Sequence, residues 1–290
     1  MNRIILVTGA TGKQGGAVAR HLLQEGWMVR AFTRKPDSEA SLELLRHGAQ
    51  VVKGDLNDPL SVRSALKDVY GVYGVQNSWE HGVEGEVRQG QILVEEARLA
   101  GVIHFVYSSV GSAHRSTGIP HFESKWQIEL LLRQSEIPST VFRPVFFMEN
   151  LLASDTVTSI GNGVLPLGLI PRKPLQMIAV DDIGAFVTMA FDNPDWYVGK
   201  EMDIAGDECS GPQMAAILGT VLDRSVEYRQ IPIDQIRAMS LDYASMIEWF
   251  NSVGYNADIE SLRKLRPSLT DFKQWVYQHK DVLLEEPVHV

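Results

Sequence analysis

Apolar and β-branched residues fall in short runs through the first half of the chain, and amphipathic stretches fill the gaps between them. The runs predict strands near 3–8, 28–32, 50–53, 71–75, 103–107 and 139–142, and the intervening patterns predict helices near 15–25, 39–47, 59–67, 84–100 and 121–135. Strict alternation of the two periods implies an α/β fold, a doubly wound parallel sheet with right-handed crossovers and helices on both faces. Beyond Arg143-Pro144 the pattern loosens into Gly- and Pro-rich sequence from Gly161 to Pro174. Next come Met177-Ile178-Ala179-Val180, a helix from Asp182 and a strand at Met202-Asp203-Ile204, all expected to extend the same sheet. From about 207 to 290, helical patterns cover 211–222, 233–253 and 258–279, with a short strand at Val226-Glu227-Tyr228. They describe a smaller, mostly helical C-terminal lobe closing over the sheet's carboxyl edge, where ligands of such folds bind. The expected division is a sheet domain over 1–152, completed by about 175–206, and a smaller lobe over 153–174 and 207–290. No internal repeat or low-complexity tract is present.

Gly9, Gly12 and Gly15 lie between the run Ile4-Ile5-Leu6-Val7-Thr8 and a helical pattern with Ala17, Val18, His21 and Leu22 on one face. Three glycines alone mean little, but a strand before and a helix after separate a phosphate-binding turn from a plain βα turn. Such a turn lets the backbone approach a pyrophosphate seated on the unpaired amides of the helix N-terminus. Gly9, Thr11, Gly12, Lys13, Gln14 and Gly15 are therefore the first candidate cofactor contacts, and the fold is expected to be Rossmann-type. The spacing Gly-x-x-Gly-x-x-Gly resembles the extended and atypical members of the short-chain dehydrogenase/reductase superfamily.

Composition narrows the classes. The 290 residues, 44% of them apolar, suffice for one large core and a small lobe, and a third domain is not expected. Lys and Arg number 27 against 36 Asp and Glu, so the net charge of −9 disfavours direct nucleic-acid binding. Cys209 is the only cysteine, which leaves no internal disulfide and fits a reducing, cytoplasmic setting. The first strand starts within three residues of Met1, and no run of about eighteen apolar residues occurs, so neither a signal peptide nor a membrane span is expected. Histidines at 21, 47, 81, 104, 114, 121, 279 and 289 are scattered without ligand spacing, and no metal site is expected.

Arg34 and Lys35 follow the second strand, where proteins of this fold that select NAD carry a carboxylate for the ribose hydroxyls. A guanidinium there suits a 2′-phosphate, which favours NADP(H); the alternative is a solvated basic pair ahead of Pro36. Asp55, followed by Leu56, ends the third strand, where its carboxylate can accept from the adenine amino group or cap the turn beside Asn57 and Asp58. Gln76 and Asn77 end the fourth strand where a nicotinamide ribose passes, and Trp79 can simply pack a loop.

Tyr107-Ser108-Ser109 ends the fifth strand, and the next helix carries His121-Phe122-Glu123-Ser124-Lys125. In the superfamily that this chain resembles, the corresponding helix carries Tyr-x-x-x-Lys, in which the phenol transfers a proton while the lysine binds the nicotinamide ribose and depresses the phenol's pKa. Here the tyrosine is missing. His121 and Lys125, at i and i+4, share a helix face and are the candidate catalytic residues. A neutral imidazole beside Lys125 can act as acid or base, or His121 can face the ribose or solvent without transferring anything. These residues look like the NmrA-like family when taken in order with Arg143-Pro144-x-x-Phe147-Met148-Glu149-Asn150, Asp181-Asp182-Ile183-Gly184 and Ile204-Ala205-Gly206-Asp207-Glu208. Gly254-Tyr255-Asn256-Ala257-Asp258 and Pro267-Ser268-Leu269-Thr270-Asp271-Phe272 look similar to that family as well.

The resemblance spans nearly the whole chain and implies dinucleotide binding. The family holds NADPH-responsive regulators that bind partner proteins as well as reductases of quinones and triphenylmethane dyes. Reducing a ketone needs a proton delivered to a developing alkoxide, which the absent phenol would supply. A quinone or cationic dye can take hydride with solvent supplying any proton afterwards. Its apolar pocket can draw on Phe146, Phe147, Met148, Leu165, Leu167, Leu169 and Ile170, with Trp249 or Tyr243, or these can be core. Pro144 and Phe147 are further candidate cofactor contacts, near the carboxamide. Met239, Tyr243, Met246 and Phe250 have helical spacing and form either an adaptable interaction surface or a buried stripe. The expected cofactor is NADP(H), and the expected partner is a second protein or a small aromatic substrate, with a homodimer admitted. The missing tyrosine tilts the reading toward a redox-responsive regulator, with a reductase of small aromatic electrophiles as the alternative.

Overall fold

The computed structural model describes residues 3–284, so His289 and the end of the C-terminal lobe at 285–290 lie outside the described residues. In chain order the elements are β1 (Ile4–Val7), α1 (Lys13–Gln24), β2 (Met28–Thr33), α2 (Glu39–Arg46), β3 (Gln50–Lys53), α3 (Pro59–Ala65), β4 (Gly71–Gly74), α4 (Ser78–Leu99), β5 (His104–Ser108), α5 (Pro120–Gln134) and β6 (Ser139–Pro144). There follow β7 (Phe146–Phe147), α6 (Ser154–Gly161), β8 (Val164–Leu167), β9 (Pro174–Ile178), α7 (Val180–Asp192), α8 (Pro194–Tyr197), β10 (Glu201–Ile204), β11 (Asp207–Ser210), α9 (Gly211–Leu222) and β12 (Glu227–Gln230). The chain ends in α10 (Ile233–Met239), α11 (Leu241–Ser252), α12 (Ile259–Leu265), α13 (Phe272–Gln278) and α14 (Lys280–Leu284). Two compact units form: the chain through Ser116 with Pro120–Arg143 and Val180–Met202, and Thr117–Ile119 with Pro144–Ala179 and the chain from Asp203.

The first unit is built on a seven-stranded sheet of order β10-β6-β5-β4-β1-β2-β3. Neighbours from β3 through β6 pair in parallel. Alternation along the strands feeds two cores. Leu6, Phe32, Val72, Phe105, Tyr107 and Val141 pack with Val62, Leu93, Ala97, Ile128 and Leu132 of α3, α4 and α5. The opposite phase meets α7, where Phe191 lies edge-on to His104 and Phe186 packs on Phe142. Because β1 lies between β2 and β4, the strand order reverses here, and folds of this kind bind ligands at the carboxyl ends of the strands flanking such a reversal. Thr8 ties the two ends together: its hydroxyl donates to the carbonyls of Tyr73 and Val75 at 3.2 and 3.0 Å and accepts from the Val75 amide at 2.9 Å.

The second unit holds a three-stranded sheet of order β11-β9-β7, a parallel pair β12-β8, and helices around them. Here two expectations are corrected. The strand at Met177-Ile178 does not extend the large parallel sheet: β9 pairs antiparallel with β11 and parallel with β7. Only Ala205 and Gly206 separate β10 from β11, and the Gly206 amide donates to the Met177 carbonyl at 2.7 Å, so β9's backbone groups are satisfied by this local return. The helical patterns over 233–253 and 258–279 each break in two. Ser240 is extended and its hydroxyl caps α11 by accepting from the Tyr243 amide at 3.2 Å. Pro267 cannot continue α12, and Asp271 with Gln274 forms a capping box that restarts the chain as α13.

Met246 and Phe250 are buried on α11, whereas Met239 is 83% exposed on α10, so the methionine and aromatic spacing is chiefly a core-facing stripe. Met148, Leu165, Leu169 and Trp249 are likewise buried, and Phe146, Phe147, Leu167, Ile170 and Tyr243 are half-buried. Among the described residues no helix is long and apolar enough to cross a membrane, and no group of three or more His, Cys, Asp or Glu is arranged to hold a metal ion.

One buried histidine makes stability depend on pH. The Thr140 hydroxyl donates to the Tyr197 carbonyl at 2.8 Å, so it accepts from His104 Nε2 at 2.8 Å, and Nδ1 is left without a partner among the described residues. Desolvation lowers the His104 pKa to about 4, which keeps the folded imidazole neutral. The unfolded chain takes up that proton first as pH falls below about 6.5, so stability is full above that value and is lost progressively toward pH 4, by about 3 kcal/mol. Urea unfolding midpoints of the native protein therefore fall across this window, and His104→Gln flattens the decline. An unchanged acid limb in the variant counts against the assignment.

Candidate functional site

The turn after β1 is shaped by close approach. A Cβ on Gly15 would lie 2.2 Å from the Gly9 carbonyl oxygen and 2.7 Å from that of Thr8, so only glycine lets α1 start this near the strand. Gly9 itself has φ +59°, in the left-handed region, and the Gly12 amide donates to its carbonyl at 2.9 Å. Helix α1 begins at Lys13 with Gly12 as its N-cap, no side-chain cap and no acidic residue in the first turn. Thr11, Gly12 and Lys13 are exposed there. Gln14 is half-buried and faces the sheet: its side-chain oxygen accepts from Ser108 Oγ at 2.7 Å and from the Tyr73 phenol at 3.4 Å.

Arg34 is not a solitary guanidinium. It is ion-paired with Glu80 and lies 3.2 Å from His81 Nε2, both in the first turn of α4, and each member of the Arg34–Glu80 pair is 49% exposed. The Lys35 side chain is exposed, while its amide donates to Thr33 Oγ1 and its carbonyl accepts from Ser41 Oγ. Asp55 performs the turn-capping role: Oδ1 accepts from the Asn57 amide at 2.8 Å and from Asn57 Nδ2 at 3.0 Å. The Asn57 amide holds the Asp55 carboxyl below its ordinary pKa, with Arg34 and His81 adding to the effect. Leu56 packs on the core beneath it. Asn77 is the N-cap of α4, its Oδ1 accepting from the Trp79 amide at 3.1 Å, and the helix kinks at Gly82.

Lys125 is the most constrained cation of the group. Its Nζ donates to Glu86 Oε1 at 2.9 Å and to the Gln76 carbonyl at 3.2 Å, with Lys125 12% exposed and Glu86 fully buried. The other oxygen of Glu86 accepts from Ser124 Oγ. An ammonium has three donors, so one N–H of Lys125 is left over among the described residues. The Gln76 side chain is buried, and neither atom of its carboxamide has a partner among the described residues; the Ser109 hydroxyl is in the same state. His121 is buried between the edge-on ring of Phe122 and the exposed ring of Trp79, at centroid distances of 4.9 and 5.1 Å. Tyr73 and Tyr107 are fully buried, and desolvation raises both pKa values, so neither replaces the missing phenol.

The first unit thus brings together the glycine turn, Gln14, Gln76, His121 and Lys125 around the carboxyl ends of β1, β4 and β5, with Arg34 and Asp55 after β2 and β3. Pro144 and Phe147 belong to the second unit, where Phe147 pairs with Ile178. Sequence reasoning missed Glu86 and the role of Ser124. A signal existed: Glu86 occupies the buried phase of α4 set by Gly90, Leu93 and Ala97, and an acid in that phase demands a partner.

A model of the NmrA-like family matches residues 1–276. The NAD(P)H azoreductase of Xenophilus azovorans is 30% identical over 239 residues, covering 81% of this chain and 79% of its own. Among solved structures, Citrobacter sp. triphenylmethane reductase complexed with NADP(H) superposes with a TM-score of 0.81 at 21% identity, covering 95% of this chain and 99% of that one. NmrA, a negative transcriptional regulator solved in complex with NADP, superposes with a TM-score of 0.78 at 20% identity over 97% of both chains. With the family model spanning nearly its whole length, the chain belongs to the NmrA-like family.

Proposed function

We propose that this chain is an NADP(H)-dependent oxidoreductase that reduces aromatic electrophiles of the quinone, azo or triphenylmethane type. The observation that carries this reading is Lys125, a cation held by Glu86 and the Gln76 carbonyl with one N–H in reserve, on the same helix as His121, against whose ring the exposed Trp79 of α4 packs. The relatives that act on azo compounds and triphenylmethane dyes support the substrate class.

The residues present fit a dinucleotide. Gly15 lets α1 start close to the strand, its N-cap makes no side-chain hydrogen bond, the first turn carries no carboxylate to repel a diphosphate, and the buried Gln76 carboxamide lacks a partner among the described residues. Thr11, Gly12, Lys13 and Gln14 would line the diphosphate, Arg34 and Lys35 the 2′-phosphate, and Asp55 with Leu56 the adenine. Gln76 and Lys125 would hold the nicotinamide ribose. When bound, the nicotinamide supplies the hydride. Lys125 orients the ribose through its spare N–H, and Trp79 offers a planar face to an aromatic acceptor. A quinone or azo acceptor takes a proton besides the hydride, from solvent or from His121, and a cationic triphenylmethane dye is neutralised by the hydride alone, so no phenol is required.

A second reading, a redox-responsive regulator with little turnover, is favoured by one observation: helix α5 carries His121 where the superfamily places its phenol, and the nearby phenols of Tyr73 and Tyr107 have suppressed acidity. The regulator crystallised with NADP lends it support.

Turnover separates the two. A reductase consumes NADPH with at least one quinone, azo dye or cationic dye, followed by the loss of NADPH absorbance, and Lys125→Ala lowers kcat/KM about 10- to 100-fold through loss of a charged hydrogen bond. No consumption across all three classes leaves the regulator. Arg34→Ala weakens NADP(H) by about 1 to 3 kcal/mol and barely touches NAD(H), measured calorimetrically; equal losses remove the 2′-phosphate assignment. Gly15→Ala, by contrast, weakens both dinucleotides together and lowers the melting temperature, because its methyl meets backbone that cannot yield. A variant with native affinity for both would place the diphosphate elsewhere.

A further inference from the structure

We propose that Glu86 is the positioning residue for Lys125: it fixes the direction of the ammonium and supplies its counter-charge, so that the one uncommitted N–H of Lys125 is presented to the cofactor. The inference rests on the reading of Lys125 as a cofactor contact, and that contact is common to a reductase and a regulator.

The local construction is specific. Helices α4 and α5 approach closely at Gly90, where a Cβ would lie 2.5 Å from Ile128 Cγ1. Gly90 stands one helical turn after Glu86, and Ile128 one turn after Ser124 and Lys125, so the small residue brings both donors within reach of the carboxylate. Glu86 then receives Lys125 on one oxygen and the single hydroxyl hydrogen of Ser124 on the other.

A purely structural role explains this poorly. Burying a carboxylate and an ammonium costs several kcal/mol of hydration per ion, and apolar residues of similar volume usually serve stability as well or better. Lys125 also keeps partial exposure, unlike Glu86, so the pair opens at the ammonium end. At that end stands Gln76, whose carbonyl takes the second N–H and whose carboxamide, 6% exposed, has no partner among the described residues. Two fixed acceptors, one free donor and one idle amide at the same strand end form a half-completed hydrogen-bond set. A ribose, carrying adjacent hydroxyls that both donate and accept, is the chemistry that completes it. Without Glu86 the ammonium keeps only the Gln76 carbonyl, loses its counter-charge and is no longer held in one direction.

The test is a double-mutant cycle read as NADPH affinity by calorimetry, with melting temperatures recorded alongside. Glu86→Gln keeps the shape and removes the charge; it is expected to weaken NADPH about tenfold in the native background, and to have no further effect in Lys125→Met. The Lys125→Met/Glu86→Gln protein is expected to melt above Lys125→Met alone, because the latter strands a buried carboxylate. An equal loss of affinity in both backgrounds, or native affinity in Glu86→Gln, overturns the positioning role. If Lys125→Met alone binds NADPH normally, the cofactor-contact reading fails first, which is a distinct outcome. Should Glu86→Gln not fold, Ser124→Ala, which releases only one oxygen of the carboxylate, is expected to weaken NADPH about threefold in the native background and not in Lys125→Met. The same factor in both backgrounds again overturns it.

Discussion

The approach of α1 to the strand it follows is the constraint from which the rest of the first unit descends. With 2.2 Å between a hypothetical Gly15 Cβ and the Gly9 carbonyl, any side chain would lever the helix outward. That position also sets how α1 meets α7, where a Cβ on Gly184 would lie 2.8 Å from the Ala17 carbonyl, and how Gln14 reaches Ser108 and the Tyr73 phenol. A glycine N-cap and a first turn without acids put neither a side-chain cap nor a carboxylate at the positive end of the helix dipole. Natural helices usually carry such a cap, so its omission at the reversal of strand order suits an external anion better than it suits stability.

The alternating half of the fold was legible because its signals are local. An apolar run of four to six residues followed by a 3.6-residue stripe names βα units without reference to anything distant, and β1 to β6 and α1 to α5 lie close to the expected ranges. Sheet membership is not local. Met177-Ile178 reads as one more buried strand, yet its partner was decided by the two-residue return into β11. Strand β8 was hidden because Pro166 lacks an amide and argues against a ladder, although a two-stranded pair tolerates it opposite Arg229. The site divides the same way. The glycine turn announces itself in sequence, and Asp55 and Asn77 were foreseeable as turn and cap residues. The engagement of Arg34 by Glu80, 46 positions away, and of Lys125 by Glu86, 39 positions away, depends on helix packing that no short window records.

Those two ion pairs differ in exposure, and the difference assigns them different work. Arg34 and Glu80 are each half exposed, so their pair is worth no more than about 1 kcal/mol and weakens with salt. On the proposed reading a dianionic 2′-phosphate displaces one carboxylate from such a guanidinium at little cost, with His81 close by. Lys125 and Glu86 are the reverse case: with Glu86 wholly buried, neither ion can lose its partner while it stays buried without a penalty of several kcal/mol, so the pair holds one arrangement. On the proposed reading, the end of the site that recognises the 2′-phosphate is exchangeable and the end that holds the ribose is rigid. Preorganisation matters where a small misplacement is amplified into rate, and adaptability suffices where only binding is at stake. A regulator draws on the first property for affinity alone, whereas a reductase draws on it for affinity and rate. The desolvated pair beneath α5 is therefore the feature that weighs toward chemistry, against the loss of the phenol that weighs toward sensing.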